Sequence, residues 1–109
     1  MIYYIAGRIT GNPDYKEEFE RAAREIARLD PGAVILNPAV MPGGLSNAGY
    51  MRICFAMLDV AETVLFLPGS EKSDGAKLEE AYCRYTGKRT TTLLHMVLKK
   101  RLEGKSNGK

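Results

Sequence analysis

The 109-residue sequence has no tryptophan, one histidine and two cysteines. Cys54 and Cys83 are too far apart for the paired spacing of a zinc site or a dithiol redox motif, so they read as reduced thiols in a cytoplasmic protein. No apolar run approaches the ~20 residues of a membrane span. The opening MIYYIAG has no basic segment ahead of it, as a secretory signal would. A phosphate loop ending in Gly-Lys-Ser/Thr is missing, and so is GxGxxG. ATP hydrolysis and dinucleotide-dependent redox chemistry therefore lose their usual signatures. Neither a metal nor a cofactor is expected.

Charge is present but lopsided. Charged residues make up 27% of the chain and apolar residues 45%, the composition of one globular domain. Residues 99–109 hold five Lys/Arg and one Glu, about +4, which leaves the rest of the chain at about −1. The end, EGKSNGK, has the composition of a solvated, frayed tail. A basic tail is one route to nucleic acid, but the basic stripe interleaved with aromatics that binds single strands is missing. Nucleic acid is not an expected partner. The chain divides into an α/β domain over residues 1–98 and a basic tail over 99–109.

The pattern of elements alternates. MIYYIAG is an apolar, β-branched and aromatic run that predicts a buried strand ending at Gly7. RITGNPD is a loop, and Asp14 is placed to cap a helix in which Phe19, Ala22, Ala23, Ile26 and Leu29 follow helical spacing. Glu17/Arg21 and Glu20/Arg24 are i,i+4 pairs on its outer face. AVILNP predicts a second strand and YMRICFAMLDVA a second helix, apolar around most of its circumference, with Asn47 as its cap and Arg52 and Asp59 together on the polar side. TVLFLP predicts a third strand, GAKLEEAYCRYTG a third helix, TTTLL a fourth strand and HMVLKKRL a last helix. This order predicts an α/β fold: a three-layer Rossmann-like, flavodoxin-like parallel sheet of about four to five strands flanked by helices. Ligands of such sheets lie outside the carboxyl ends of the strands. The loops found there, GRITGNPD, PAVMPGGLSNAG and GSEKSDG, are all rich in small polar residues and glycine.

The third helix carries two adjacent carboxylates. At 100° per residue, Leu78, Ala81, Tyr82 and Tyr85 cluster as an apolar face. Glu80 falls opposite them with Arg84 as its i,i+4 partner, an ordinary surface role. Glu79 falls at the edge of the apolar face and leans toward the sheet end and the loops. Its place in the first or second turn favours the ionised form. Ser73 or Asp74 is placed to cap this helix, and Gly75 lets backbone approach a ligand. Asn37, at the end of the second strand, is placed to reach a ligand at the sheet edge. His95 reads as a packed or surface histidine.

Three blocks, YIAGRITG, YMRICFAMLDVAETVLFLPG and SDGAKLE, in this order and spacing resemble the nucleoside 2-deoxyribosyltransferase superfamily, and within it a group of small phage and bacterial proteins. The resemblance runs from Ile2 to about Gly87. It implies that Glu79 is a nucleophile that attacks the anomeric carbon of a nucleoside or nucleotide, releasing the base. Water or a second base would then resolve the glycosyl-enzyme. It implies that Gly7, Arg8 and Ile9 cradle the sugar or its 5'-phosphate, and that Ser73 contacts the substrate beside the loop glycine, Gly75. A tyrosine of the first strand orients the nucleophile in the transferases. Tyr3 and Tyr4 are both available, and Tyr3 is favoured here. Relatives often carry Asp where Cys54 stands, Arg where Thr10 stands and an aromatic residue where Ser70 stands.

The sequence therefore leads to a nucleoside deoxyribosyltransferase or N-hydrolase with Glu79 and Tyr3 as catalytic residues. Gly7, Arg8, Ile9, Asn37, Ser73, Asp74 and Gly75 are expected to bind the substrate. Relatives form dimers or larger oligomers, and the apolar second helix suits such an interface. The rival reading is a nucleotide-binding protein without turnover, for which Cys54 speaks.

Overall fold

Tyr3 and Tyr4 are neighbours in one strand, so their side chains leave it on opposite faces. The molecule is sorted along that division. The structure, a computed structural model, describes residues 1–107. Its elements are β1 (Ile2–Ala6), α1 (Tyr15–Leu29), β2 (Val34–Leu36), α2 (Asn47–Val60), β3 (Thr63–Phe66), α3 (Asp74–Thr86), β4 (Arg89–Thr91) and α4 (Leu93–Asn107), with single 3-10 turns at Pro38–Val40 and Ser70–Lys72. All strand pairs are parallel, in the order β2-β1-β3-β4. This is the three-layer α/β architecture that the alternating pattern predicts.

One face of the sheet presents Tyr3, Ile5, Leu65 and Leu67 to Phe19, Ala22 and Ile26 of α1, with Leu93 and Met96 of α4 packed alongside. The other face presents Tyr4, Ala6 and Val64 to Cys54 and Leu58 of α2 and Cys83 of α3. Each fully buried large side chain contributes roughly 1.5–3 kcal/mol, so both layers are held by apolar burial. The chain runs from β1 outward to β2, then returns across β1 to β3. With crossovers of one hand, that reversal puts α1 on one face and α2 and α3 on the other. It also opens a crevice at the carboxyl ends of β1 and β3.

Several local expectations change. Asp14 precedes α1 without a side-chain capping bond; its own N–H donates to Asn12 Oδ1 at 3.2 Å instead. Ser46, not Asn47, caps α2, with Oγ accepting from Gly49 N at 3.0 Å. The fourth strand covers Arg89–Thr91 rather than the TTTLL run, because Thr92 Oγ1 accepts from His95 N at 3.1 Å and starts α4 at Leu93. α4 then continues to Asn107, so residues 99–107 extend a helix and the expected 98/99 boundary falls inside it. Lys109 and Gly108 of the expected tail lie outside the described residues.

The predicted Glu17–Arg21 and Glu20–Arg24 pairs form at 3.4 Å, well exposed, and each is worth only about 0.3–0.5 kcal/mol. Arg52 and Asp59 do not pair among the described residues. Asp59 Oδ1 accepts from the Tyr82 hydroxyl at 2.8 Å instead. α2 buries only Cys54 and Leu58, and its Ile53 and Val60 stand exposed. No helix among the described residues is long and apolar enough to cross a membrane.

Candidate active site

A cleft of about 300 Å³ opens at the carboxyl ends of β1 and β3. Gly7, which follows β1, forms part of it. A Cβ at Gly7 would come within 3.0 Å of both Leu67 and Phe19, so only glycine lets the chain leave the sheet there without displacing the core. The opposite wall is the start of α3. Ser73 caps that helix, with Oγ accepting from Ala76 N at 3.2 Å. A Cβ at Gly75 would lie 3.3 Å from Met51 Sδ. The Met51 side chain of α2 thus packs beside this glycine, which also lines the cleft.

α3 is rotated from its expected phase. Ala76, Glu79 and Cys83 face inward, while Leu78 is 57% and Tyr85 91% exposed. Small residues set this rotation: Gly75, Ala76 and Cys83 let α3 approach its neighbours, which bulky Leu78 and Tyr85 would not allow. The consequence is chemical. Glu79 moves from the edge of the apolar face to its middle and is only 4% exposed. Glu80 stays outside, paired with Arg84 at 2.6 Å.

A carboxylate so deeply placed needs a partner. The Tyr4 hydroxyl donates to Glu79 Oε2. Burial pushes the Glu79 carboxyl from 4.5 up to about 7, and the Tyr4 hydrogen bond pulls it partly back. The helix N-terminus was expected to favour the ionised form, but its influence fades beyond the first turn, and Glu79 stands in the second. Burial and then the Glu79 charge hold the Tyr4 phenol far above its usual range, so it remains a donor. Oε1 of Glu79 has no hydrogen-bond partner among the described residues, and Glu79 lines the cleft.

Tyr50 and Cys54, both on α2, complete the floor. The Tyr50 hydroxyl is buried and finds no hydrogen-bond partner among the described residues. Burial pushes the Cys54 thiol up as well. Among the described residues no group of three His, Cys, Asp or Glu side chains is arranged to hold a metal ion.

The sequence-derived residues divide into two sets. Glu79, Gly7, Ile9, Ser73, Asp74 and Gly75 all line the cleft. Tyr3, Arg8 and Asn37 do not. Tyr3 faces the other layer, where its hydroxyl donates to Asp30 Oδ2 at 3.1 Å, so the partner of Glu79 is Tyr4. Strand alternation requires one or the other, and the packing of α3 decides for Tyr4. The Arg8 side chain lies over Gly11, whose Cβ would meet it at 3.0 Å. Asn37 Oδ1 accepts from Ala39 N at 2.9 Å and caps the 3-10 turn. Tyr50 and Met51 line the cleft without having been singled out, and so do Thr10 and Cys54, which the sequence marked only as departures from its relatives. For Tyr50 the only available signal was an aromatic residue at the start of a helix that follows a strand-end loop.

The raised carboxyl predicts a pH dependence of stability. Between about 4.5 and about 7 the folded protein holds a proton at Glu79 that the unfolded chain releases. Stability therefore falls as pH rises through that window and levels off above it, by at most about 3 kcal/mol. Glu79→Gln is expected to remove this slope, as read by urea unfolding at about pH 5 and about pH 8. Parallel profiles for the parent and Glu79→Gln would show that burial does not shift this carboxyl.

No curated protein matches this chain. A family model described as a domain of unknown function, DUF4406, matches residues 1–92. That span contains all four strands, the cleft and the Tyr4–Glu79 pair, and the chain belongs to the DUF4406 family.

Proposed function

We propose that the cleft cleaves the N-glycosidic bond of a nucleoside, with Glu79 as the nucleophile. The observation that carries this reading is a buried carboxylate, gripped on one oxygen by Tyr4, in the wall of a cleft at the strand ends. The resemblance to the nucleoside 2-deoxyribosyltransferases supports the same residue. Glu79 attacks the anomeric carbon. The carbon–nitrogen bond breaks, its electron pair leaves with the base, and the base takes up a proton. Water or the nitrogen of a second base then attacks the same carbon and frees the carboxylate.

Burial serves this chemistry. An ionised carboxylate in a poorly solvated site is high in energy, and the positive charge that develops on the sugar relieves it. The interaction is thus stronger in the transition state than in the ground state. Tyr4 fixes one oxygen and directs the other. The cleft contains no Lys, Arg or His among the described residues, while Asp74 and Glu79 both line it. A 5'-phosphate would meet a carboxylate without a countercharge, so the favoured substrate is the uncharged nucleoside.

The second reading, a receptor without turnover, is favoured by Cys54. This thiol is a poor hydrogen-bond partner for sugar hydroxyls where relatives carry Asp. Chromatography separates the two readings. The parent protein, incubated with 2'-deoxynucleosides and their 5'-monophosphates, is expected to release free base from the nucleosides, and Glu79→Ala to lose at least about a thousand-fold in rate. The rate should rise with pH through about 7 as Glu79 ionises. Binding without base release from any substrate would favour the receptor.

We also propose self-association through α2, whose Ile53 and Val60 stand exposed on the flank away from α3, where Phe55 and Asp59 meet Tyr82. Sedimentation of the parent chain is expected to show a dimer or larger species that Ile53→Asp dissociates. A monomeric parent chain at about 100 μM would rule this out.

A further inference from the structure

A second groove, of about 370 Å³, lies on the other face of the sheet and at the opposite ends of the strands. Its floor includes Tyr3 and Thr63, and its walls are the end of α1, the strand β4 and the outer half of α4. Three cations line it: Arg89 from β4, and Lys99 and Lys100 from α4. None of the three forms an ion pair among the described residues. The ion pairs found elsewhere join arginines to glutamates three or four residues away on the same helix, so these three cations keep their charge available to a ligand. Arg89 comes from a different element than the two lysines, so the fold, not local sequence, brings the three together.

The groove also holds two carboxylates. Asp30 already accepts from the Tyr3 hydroxyl at 3.1 Å, and burial and Asp30 push that phenol up to about 12, so it stays a donor. Glu103 stands one turn beyond Lys99 and Lys100. The carboxylates bound the cationic zone and keep it short, unlike a stripe that tracks a long polyanion. Thr63 and Thr91 line the same space, but their hydroxyls already donate, to Met1 Sδ at 3.2 Å and to the Thr92 carbonyl at 3.4 Å, so recognition falls to the cations. Three unpaired cations brought from two elements, in a groove of ligand size, are the chemistry of phosphate recognition.

We propose that this groove is a second site, separate from the Glu79 cleft, that binds a small ligand carrying several phosphate groups. The ligand spans the gap between β4 and α4, with Arg89 on one side and the two lysines on the other. Asp30 limits how far negative charge extends toward α1.

Calorimetric titration of the full chain with inorganic tripolyphosphate tests this directly. Binding is expected, weakening as salt is raised. Arg89→Gln, and Lys99→Gln with Lys100→Gln, should each weaken it about ten-fold or more, the loss of at least one charge-assisted contact. Asp30→Asn, which keeps an acceptor for Tyr3 but removes a charge, should tighten it. Lys77→Gln, on the exposed face of α3, should leave it unchanged. Absence of binding would overturn the proposal. So would binding that Lys77→Gln weakens as much as the groove variants do. A single-stranded oligothymidylate arm addresses the other source of phosphate. Much tighter binding of the oligonucleotide, insensitive to Arg89→Gln, would assign the basic charge to nucleic acid and contradict a small-ligand site.

Discussion

The contact between the Tyr4 hydroxyl and Glu79 joins the central strand to the third helix across the inner layer. Other features of that layer follow from it. A carboxylate at 4% exposure is destabilising unless it is hydrogen-bonded or neutral. Tyr4 supplies the bond, and the raised pKa lets the group be neutral below about 7. For Tyr4 to reach Glu79, α3 must turn its small residues inward. Glycine at 75 eases this approach, because a Cβ there would stand 3.3 Å from Met51 Sδ of α2. The bulky Leu78 and Tyr85 are left outside as a consequence. The fold thus places an otherwise costly group in a defined orientation at the switch point of the sheet, where parallel α/β folds bind ligands.

The architecture was legible in the sequence because its strands are apolar and β-branched and its breaks are marked by Gly, Pro and Asn. Glu79 stood out in the sequence by its helix phase, leaning toward the strand-end loops, and by the resemblance of the blocks around it to a glycosyl-transferring superfamily. Its burial did not. The periodicity of α3 weighs residues by hydrophobicity, and Leu78 and Tyr85 outweigh Ala76 and Cys83 on that scale. Packing weighs them by size, and close approach of helix to sheet selects the small ones. The same blindness explains Tyr3. Two adjacent tyrosines in one strand are equivalent until the identity of each face is known, and the face was set by which helix packs where.

Arg8 and Asn37 show a second limit. Both sit on strand-end loops, where ligand-binding residues gather, and both turn to local work. Asn37 satisfies the backbone N–H of Ala39, and Arg8 folds over Gly11. A short polar side chain such as Asn37 competes for nearby backbone groups before any ligand arrives. The end of the chain shows the converse. A composition typical of disorder becomes helical through Asn107 because Thr92 starts α4 and Leu93 and Met96 anchor it against the α1 layer. That helix carries Lys99 and Lys100 to the groove that Arg89 also lines, so two unrelated sequence segments produce one cationic surface.

The most direct test of the account is to look for the glycosyl-enzyme. The parent protein, mixed with a 2'-deoxynucleoside, quenched in acid and digested, is examined by peptide mass spectrometry. The account predicts a mass increase of one deoxyribosyl group on the peptide that holds Glu79, with fragmentation placing it on Glu79 rather than Glu80. An adduct on another residue, or base release with no adduct at Glu79 under single-turnover conditions, would contradict it.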